Sequence, residues 1–183
     1  MLPMDRKHRH SRPKRNKTCL LRQIVKARSV GVASLNVNSI HFEIKQDVVD
    51  ALQGYAQHEG NELCGVLTGS QIGENCFRIS KASPPCVKKN SRCGCERDAK
   101  QANAFIVADF EQSEQTRVYI GEWHTHPEPH PTPSAIDGNS IIMNYHTAKR
   151  AMPFLIMIIV GLESLYVSVF DGEKFLKVDL TII

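Results

Sequence analysis

Two histidines one residue apart, a proline-rich stretch, and then a serine and an aspartate three apart occupy Trp123-His-Thr-His-Pro-Glu-Pro-His-Pro-Thr-Pro-Ser-Ala-Ile-Asp137. These are metal-ligating residue types at a spacing that can bring them together. The lead-in Arg117-Val-Tyr-Ile-Gly-Glu122 reads as a β-strand. Side chains in a strand alternate between faces, so His124 and His126 project to the same side. Asp137 can supply a third ligand once the turn returns the chain. Three protein ligands with a fourth position open to water build a catalytic zinc site, whereas a structural zinc fills all four positions.

Each piece has a plainer reading. A lone H-x-H on a strand is most often a pair of ordinary polar residues. Ser134-x-x-Asp137 after a proline is a capping box that opens a helix. The proline run is a stiff loop. Their conjunction, His-x-His-Pro followed after a short spacer by Ser-x-x-Asp, is narrow enough to favour the metal reading. Other zinc patterns fit poorly. The chain has no H-E-x-x-H helix. A nucleobase deaminase needs H-x-E followed by P-C-x-x-C; His124-Thr-His126 lacks the glutamate, and Pro85-Cys86 lacks the paired cysteine.

The pattern resembles the JAMM motif of the JAB/MPN metalloproteases: an upstream glutamate, H-x-H-P, a spacer and S-x-x-D. The upstream glutamate matches Glu62 in Asn61-Glu-Leu-Cys-Gly-Val-Leu-Thr-Gly69. Glu59 is the alternative, but it precedes Gly60 and lacks the following E-x-C-G-x-L-x-G pattern. The resemblance covers roughly residues 35–180 and leaves no motif residue missing. It implies zinc held by His124, His126 and Asp137, Glu62 as general base and then general acid, and Ser134 as an oxyanion donor. The reaction class it implies is amide or isopeptide hydrolysis. Ser134 can both cap a helix and donate, since a hydroxyl accepts as well as donates. Gly138, costly inside a helix, either permits close approach beside the metal or is incidental.

Glu-Trp-His-Thr-His-Pro, Cys95-Glu-Arg97-Asp98 before the central helix and a short C-terminal hairpin are similar to the stand-alone JAB-domain peptidases of CBASS antiphage operons. Cys93-Gly-Cys95 departs from that pattern. The resemblance implies a protein substrate with an extended C-terminal tail. That substrate would be a CD-NTase or its conjugates, with a ubiquitin-activating and -conjugating-like enzyme encoded in the same operon. Two other readings stay open. One is a JAMM peptidase acting on a sulfur-carrier or other ubiquitin-like protein. The other is a zinc-containing binding module whose basic arm holds nucleic acid; the enzyme reading expects no nucleic-acid partner.

The elements that must position these residues follow from periodicity. Ser39–Ile44 reads as a strand, and 46–57 as a helix burying Val48, Val49, Leu52, Tyr55 and Ala56. Gly60 stops it. Residues 63–69 and 75–80 read as paired strands, 83–95 as an irregular insert, and 97–115 as a helix. The histidine strand follows, then a helix over 134–150. Strands at 154–160, 165–170 and 174–180 close the chain, with tight turns at Gly161 and Asp171-Gly172. This order suits an α+β class, an MPN/JAB-like fold with a curved, mostly antiparallel sheet flanked by helices.

At 183 residues and 42% hydrophobic, the chain suits one domain with a substantial core. The expected organisation is a basic, flexible extension over 1–30 and a metalloprotease domain over 31–183. Residues 1–28 carry ten Lys and Arg against Asp5 alone, a local +9, so the rest of a chain of net +4 is −5. Such an arm can meet polyanions or serve as a solvated extension. Leu20, Leu21, Ile24 and Val25 could form a short helix within it. No stretch reaches the ~18–20 apolar residues of a membrane span, and no signal-peptide pattern is present. A cytoplasmic protein is expected. The six cysteines are then expected to be free thiols. A second, structural metal held by Cys86, Cys93, Cys95 and one further ligand is the alternative to plain loop thiols, although C-x-C is not the usual C-x-x-C knuckle.

Overall fold

The structure, a computed structural model, describes residues 40–183. The basic extension, the short helix expected within it and the expected boundary at residue 30 lie outside the described residues. The elements in chain order are β1 (His41–Ile44), α1 (Gln46–Gln53), β2 (Cys64–Gly73), β3 (Cys76–Ala82), β4 (Val87–Ser91), β5 (Gly94–Arg97), α2 (Ala99–Gln112), β6 (Val118–Thr125), α3 (Ala135–Thr147), β7 (Leu155–Val160), β8 (Leu165–Phe170), β9 (Phe175–Lys177) and β10 (Leu180–Ile182).

Eight strands form one curled sheet in the order β10-β1-β3-β2-β6-β7-β8-β9. The β2–β3, β2–β6, β7–β8 and β8–β9 pairs are antiparallel; β1–β10, β1–β3 and β6–β7 are parallel. The expected α+β architecture, with a curved and mostly antiparallel sheet, is what forms. β7 reads as a continuous apolar run because all six of its residues are buried. A strand covered on both faces shows no alternation. One face packs α2 and α3 through Ala102 and Ile141 against Val66, Met157, Ile159 and Phe170. On the other face Phe42, Phe77 and Phe154 meet edge-on or stacked, with ring centroids 4.8–5.9 Å apart.

The strand that carries the histidines is held from both faces. Trp123, which points away from them, is fully buried and stacks on Tyr55 at 5.1 Å. Gly65 is its cross-strand partner, and a Cβ there would collide with the indole and with Ser83. The glycine of E-x-C-G therefore admits the indole between the two strands. The proline-rich turn is fastened below by Leu162 N–H donating to Glu128 O at 2.8 Å and Glu163 N–H to Pro129 O at 3.1 Å. It packs so closely on Gly161 that no side chain fits there.

Several boundaries differ from the sequence expectation. The first helix ends at Gln53, because Gly54 caps it, not at 57. The second begins after Asp98, whose side chain accepts from Lys100 and Gln101 N–H, so Arg97 falls in a strand. It ends by Ser113, and Glu114 and Gln115 take positive φ to turn the chain into β6. The third ends at Thr147, with Ala148 extended. Residues 174–180 are not one strand. β9 pairs with β8, and β10 then crosses to pair with β1 at the opposite sheet edge. Local periodicity cannot see that change of partner. The span 83–95 is also no irregular insert. It contains most of the β4–β5 hairpin, a separate two-stranded sheet.

The cysteine expectations are corrected in the same region. Cys64 and Cys95 form a disulfide, with Cα atoms 6.0 Å apart. Cys95 is therefore not available as a thiolate ligand. Cys86 is buried, its Sγ against Ser83 Oγ and Pro84 O, while Cys93 is exposed. The proposed Cys86, Cys93 and Cys95 metal site does not assemble, because its three sulfurs go to three different environments.

Candidate active site

His124 lies near the end of β6 and His126 just beyond it, held by His126 N–H donating to Val160 O at 3.0 Å. Asp137 is the third residue of α3, opposite them. Ser134 caps that helix. Its N–H donates to Asp137 Oδ2 at 2.7 Å, and Asp137 N–H donates back to Ser134 Oγ at 3.3 Å. The capping box read from sequence is thus formed, and it also aims the aspartate. Asp137 Oδ1 comes within 3.3 Å of His124 Nε2, and Oδ2 within 3.5 Å of His126 Nε2.

The metal reading has a direct test in this geometry. His124, His126 and Asp137 each offer a ligand atom, and those atoms lie within 4.8 Å of one another. His124 Nε2 is buried yet has no aligned hydrogen-bond partner. A buried polar atom left without a partner is costly and uncommon. A cation among these groups would satisfy it. Two imidazoles and a carboxylate are a donor set that zinc accepts while keeping an open position. A second cluster, His41, Glu43 and Cys76, lacks this character: Arg78 already engages its carboxylate at 2.8 Å.

Glu62 sits just before β2, buried, with Oε1 4.0 Å from His126 Nε2. Its main chain is tied to the hairpin: its N–H donates to Ser91 O at 2.9 Å, and its carbonyl accepts from Asn90 Nδ2 at 2.7 Å. Burial pushes the Glu62 carboxyl above its ordinary value, and the two histidines only partly offset this. That is the direction wanted in a group that must take up and return a proton near neutral pH. Burial opposes the charge on Asp137, yet the close approach of His124 and His126 holds it well below the carboxylate range. Contact with Asp137 raises His126. Glu59, the alternative base, is exposed and outside the cleft.

All five motif residues therefore meet at one cleft of about 540 Å³. Gly138 is incidental to it, since a Cβ there would meet only Phe175, at 3.8 Å. Sequence reasoning missed two parts of the lining. One is the β4–β5 hairpin, whose Arg92–Arg97 span forms a wall. The other is Glu122, on the same strand face as His124. It is buried and bound by Arg97, Tyr119 and Asn144. Glu122 carried a signal, as an acidic residue at strand period from two candidate ligands; Tyr119 lies three positions away, but Asn144 and Arg97 lie 22 and 25 away and carried none.

Residues 45–168 match the family described as prokaryotic homologs of the JAB domain. The chain belongs to that family, whose fold is that of a hydrolase, and it is an enzyme of this class. Among curated proteins it is similar to two named CD-NTase/cGAS isopeptidases. One, from Escherichia coli (strain TW11681), is 33% identical over 129 residues, covering 69% of this chain and 80% of the relative. The other, from Vibrio cholerae serotype O1, is 32% identical over 128 residues with the same two coverages. The solution structure of a protein from Desulfitobacterium hafniense shares the fold, with a TM-score of 0.57 at 19% identity over 78% of this chain and 92% of that one.

Proposed function

We propose that the protein is a zinc-dependent isopeptidase of JAMM type. It would cleave the amide that follows the C-terminal tail of a conjugated partner. The observation that carries this reading is the orphaned His124 Nε2 facing His126 and Asp137 beside a buried Glu62. Zinc, when bound by those three residues, supplies Lewis acidity toward the scissile carbonyl and its attacking water. Glu62 takes a proton from that water as the water's oxygen adds to the carbonyl carbon, and returns it to the amine as the carbon–nitrogen bond then breaks, leaving a carboxylate and a free amine. Ser134 Oγ accepts from the helix, which leaves its own proton free for the oxyanion.

The relatives' names favour a CD-NTase, free or conjugated, as substrate. A ubiquitin-activating and -conjugating-like enzyme would form the conjugate. An extended tail suits the cleft: the two-stranded β4–β5 sheet lines it through Arg92–Arg97, and backbone pairing along a strand edge gives affinity without requiring one sequence. Among the described residues no helix is long and apolar enough to cross a membrane. A cytoplasmic location suits this substrate. The basic arm over 1–30 is outside the reaction.

The test is to incubate the protein with a CD-NTase bearing a C-terminal fusion, and separately with its lysine conjugate. Mass spectrometry should find one cut at the native tail end, absent with a chelator and absent in Glu62→Ala. Should both substrates come through intact while a sulfur-carrier fusion is cut, the site would pass to sulfur-carrier processing.

A further inference from the structure

The Glu122 carboxylate gathers three elements that line the cleft. Arg97, the last residue of β5, reaches it with its guanidinium at 2.5 Å. Asn144 of α3 donates to both of its oxygens at 3.1 Å. Tyr119 of β6 donates its hydroxyl at 2.7 Å. Glu122 is 8% exposed and Arg97 21%. The motif chemistry described above uses none of these groups. A buried ion pair is weak evidence for stability in itself, because its desolvation offsets much of its attraction. Its geometric effect is clearer: it ties three chain segments to one point.

Those segments are the wall of the cleft, the strand that carries the histidines, and the helix that carries Asp137. The hairpin is tied down at both ends, with further ties from Gln57 Nε2 to Arg92 O and from Cys86 N–H to Cys64 O. Near Glu62 it is held by Ser91, Asn90 and the Cys64–Cys95 disulfide. At its other end, Arg97 joins it to Glu122, two residues before His124. From Arg97 the chain enters α2 at once, through the Asp98 cap. Losing the first attachment would move the base. Losing the second would loosen the Arg97 end of the wall, with Cys95 still held by its disulfide and Arg92 by Gln57, and leave Glu62 in place.

We propose that Arg97 and Glu122 are positioning residues for tail recognition, holding the β4–β5 wall at the spacing that an extended peptide needs to pass between it and the metal ligands. The inference rests on the isopeptidase reading. A wall held in place before binding spares the peptide the cost of ordering it, so its loss weakens binding more than chemistry.

Arg97→Met should raise KM for the tail-fusion protein about tenfold while kcat falls less than threefold, with zinc content retained. Arg97→Met leaves Glu122 buried and unpaired, so stability is tested separately. The double variant Arg97→Met/Glu122→Gln removes that charge and should recover the melting temperature while KM stays raised. Recovery of KM together with stability would make the cluster merely structural and overturn the inference. Should either variant fail to fold, Arg97→Lys keeps the charge with a different reach. A KM within twofold of the parent in that variant would also overturn the inference. If the parent protein cuts no tail fusion at all, the isopeptidase reading itself has failed, which is a different result from an unaltered KM.

Discussion

Replacing Glu62 by Gln separates chemistry from architecture at this site. Glu62 is 5% exposed, and its main-chain ties to Asn90 and Ser91 do not involve the side chain. Glutamine has the same shape, so the fold and the three ligands should persist. The proton-shuttling function is lost, and positioned acid–base groups contribute about 10²–10⁴ in rate, or about 3–5 kcal/mol of barrier at ~1.4 kcal/mol per tenfold. Stability should move the other way. Burial raises the Glu62 carboxyl, so the folded state holds the proton more tightly than the unfolded chain does. A raised carboxyl contributes stability that is complete below its unfolded value and is lost as pH rises through the folded one. At neutral pH the charged group is therefore a burden, which the amide removes. The metal-free Glu62→Gln protein should melt at or above the parent at pH 7, with an advantage that shrinks as pH falls below 5. Calorimetry at several pH values, zinc analysis and turnover of the fusion substrate decide the matter. Near-normal turnover, or a variant clearly less stable than its parent at pH 7, would refute the reasoning.

Three other outcomes are expected. His124→Ala and Asp137→Ala should each bind less zinc than the parent by elemental analysis, since each removes one of three ligands; full occupancy in both would exclude the site. Gly138→Ala should stabilise α3 by about 0.5–1 kcal/mol, the usual helix gain over glycine, measured by urea denaturation with zinc content unchanged. Burial opposes the charge on Asp109, yet Arg117, Thr68 and Lys81 lower its carboxyl from the ordinary 3.8 to about 2. Its charge is worth about 2 kcal/mol, present above pH ~4 and lost as pH falls toward 2. Asp109→Asn should be less stable than the parent at pH 6, and the gap should close on acidification; a gap independent of pH would assign it to packing.

Much of the candidate site was legible in the chain because its residues are placed at short range. His124 and His126 share a face through the strand period alone, and Ser134 and Asp137 meet through a helix cap. β7 and β8 were legible as apolar runs, and α1 by its buried face. Glu62 could be assigned only through a family pattern, because nothing local joins it to a histidine 62 positions later. Tertiary structure decided the rest. It brought Glu62 beside His126 by pairing β2 with β6, where Cys64 lies opposite His124. The packing of the β4–β5 hairpin against the start of β2 put Cys95 near enough to Cys64 to form a bond that the lack of a secretory signal argued against. Tertiary structure also divided 174–180 between the two edges of the sheet, and it buried Glu122 where a strand pattern suggests only a polar residue. Side-chain periodicity reports which face of an element is apolar. Which elements face each other, and therefore which charges must be paired once water is excluded, is settled only when the sheet curls and the hairpin closes over it.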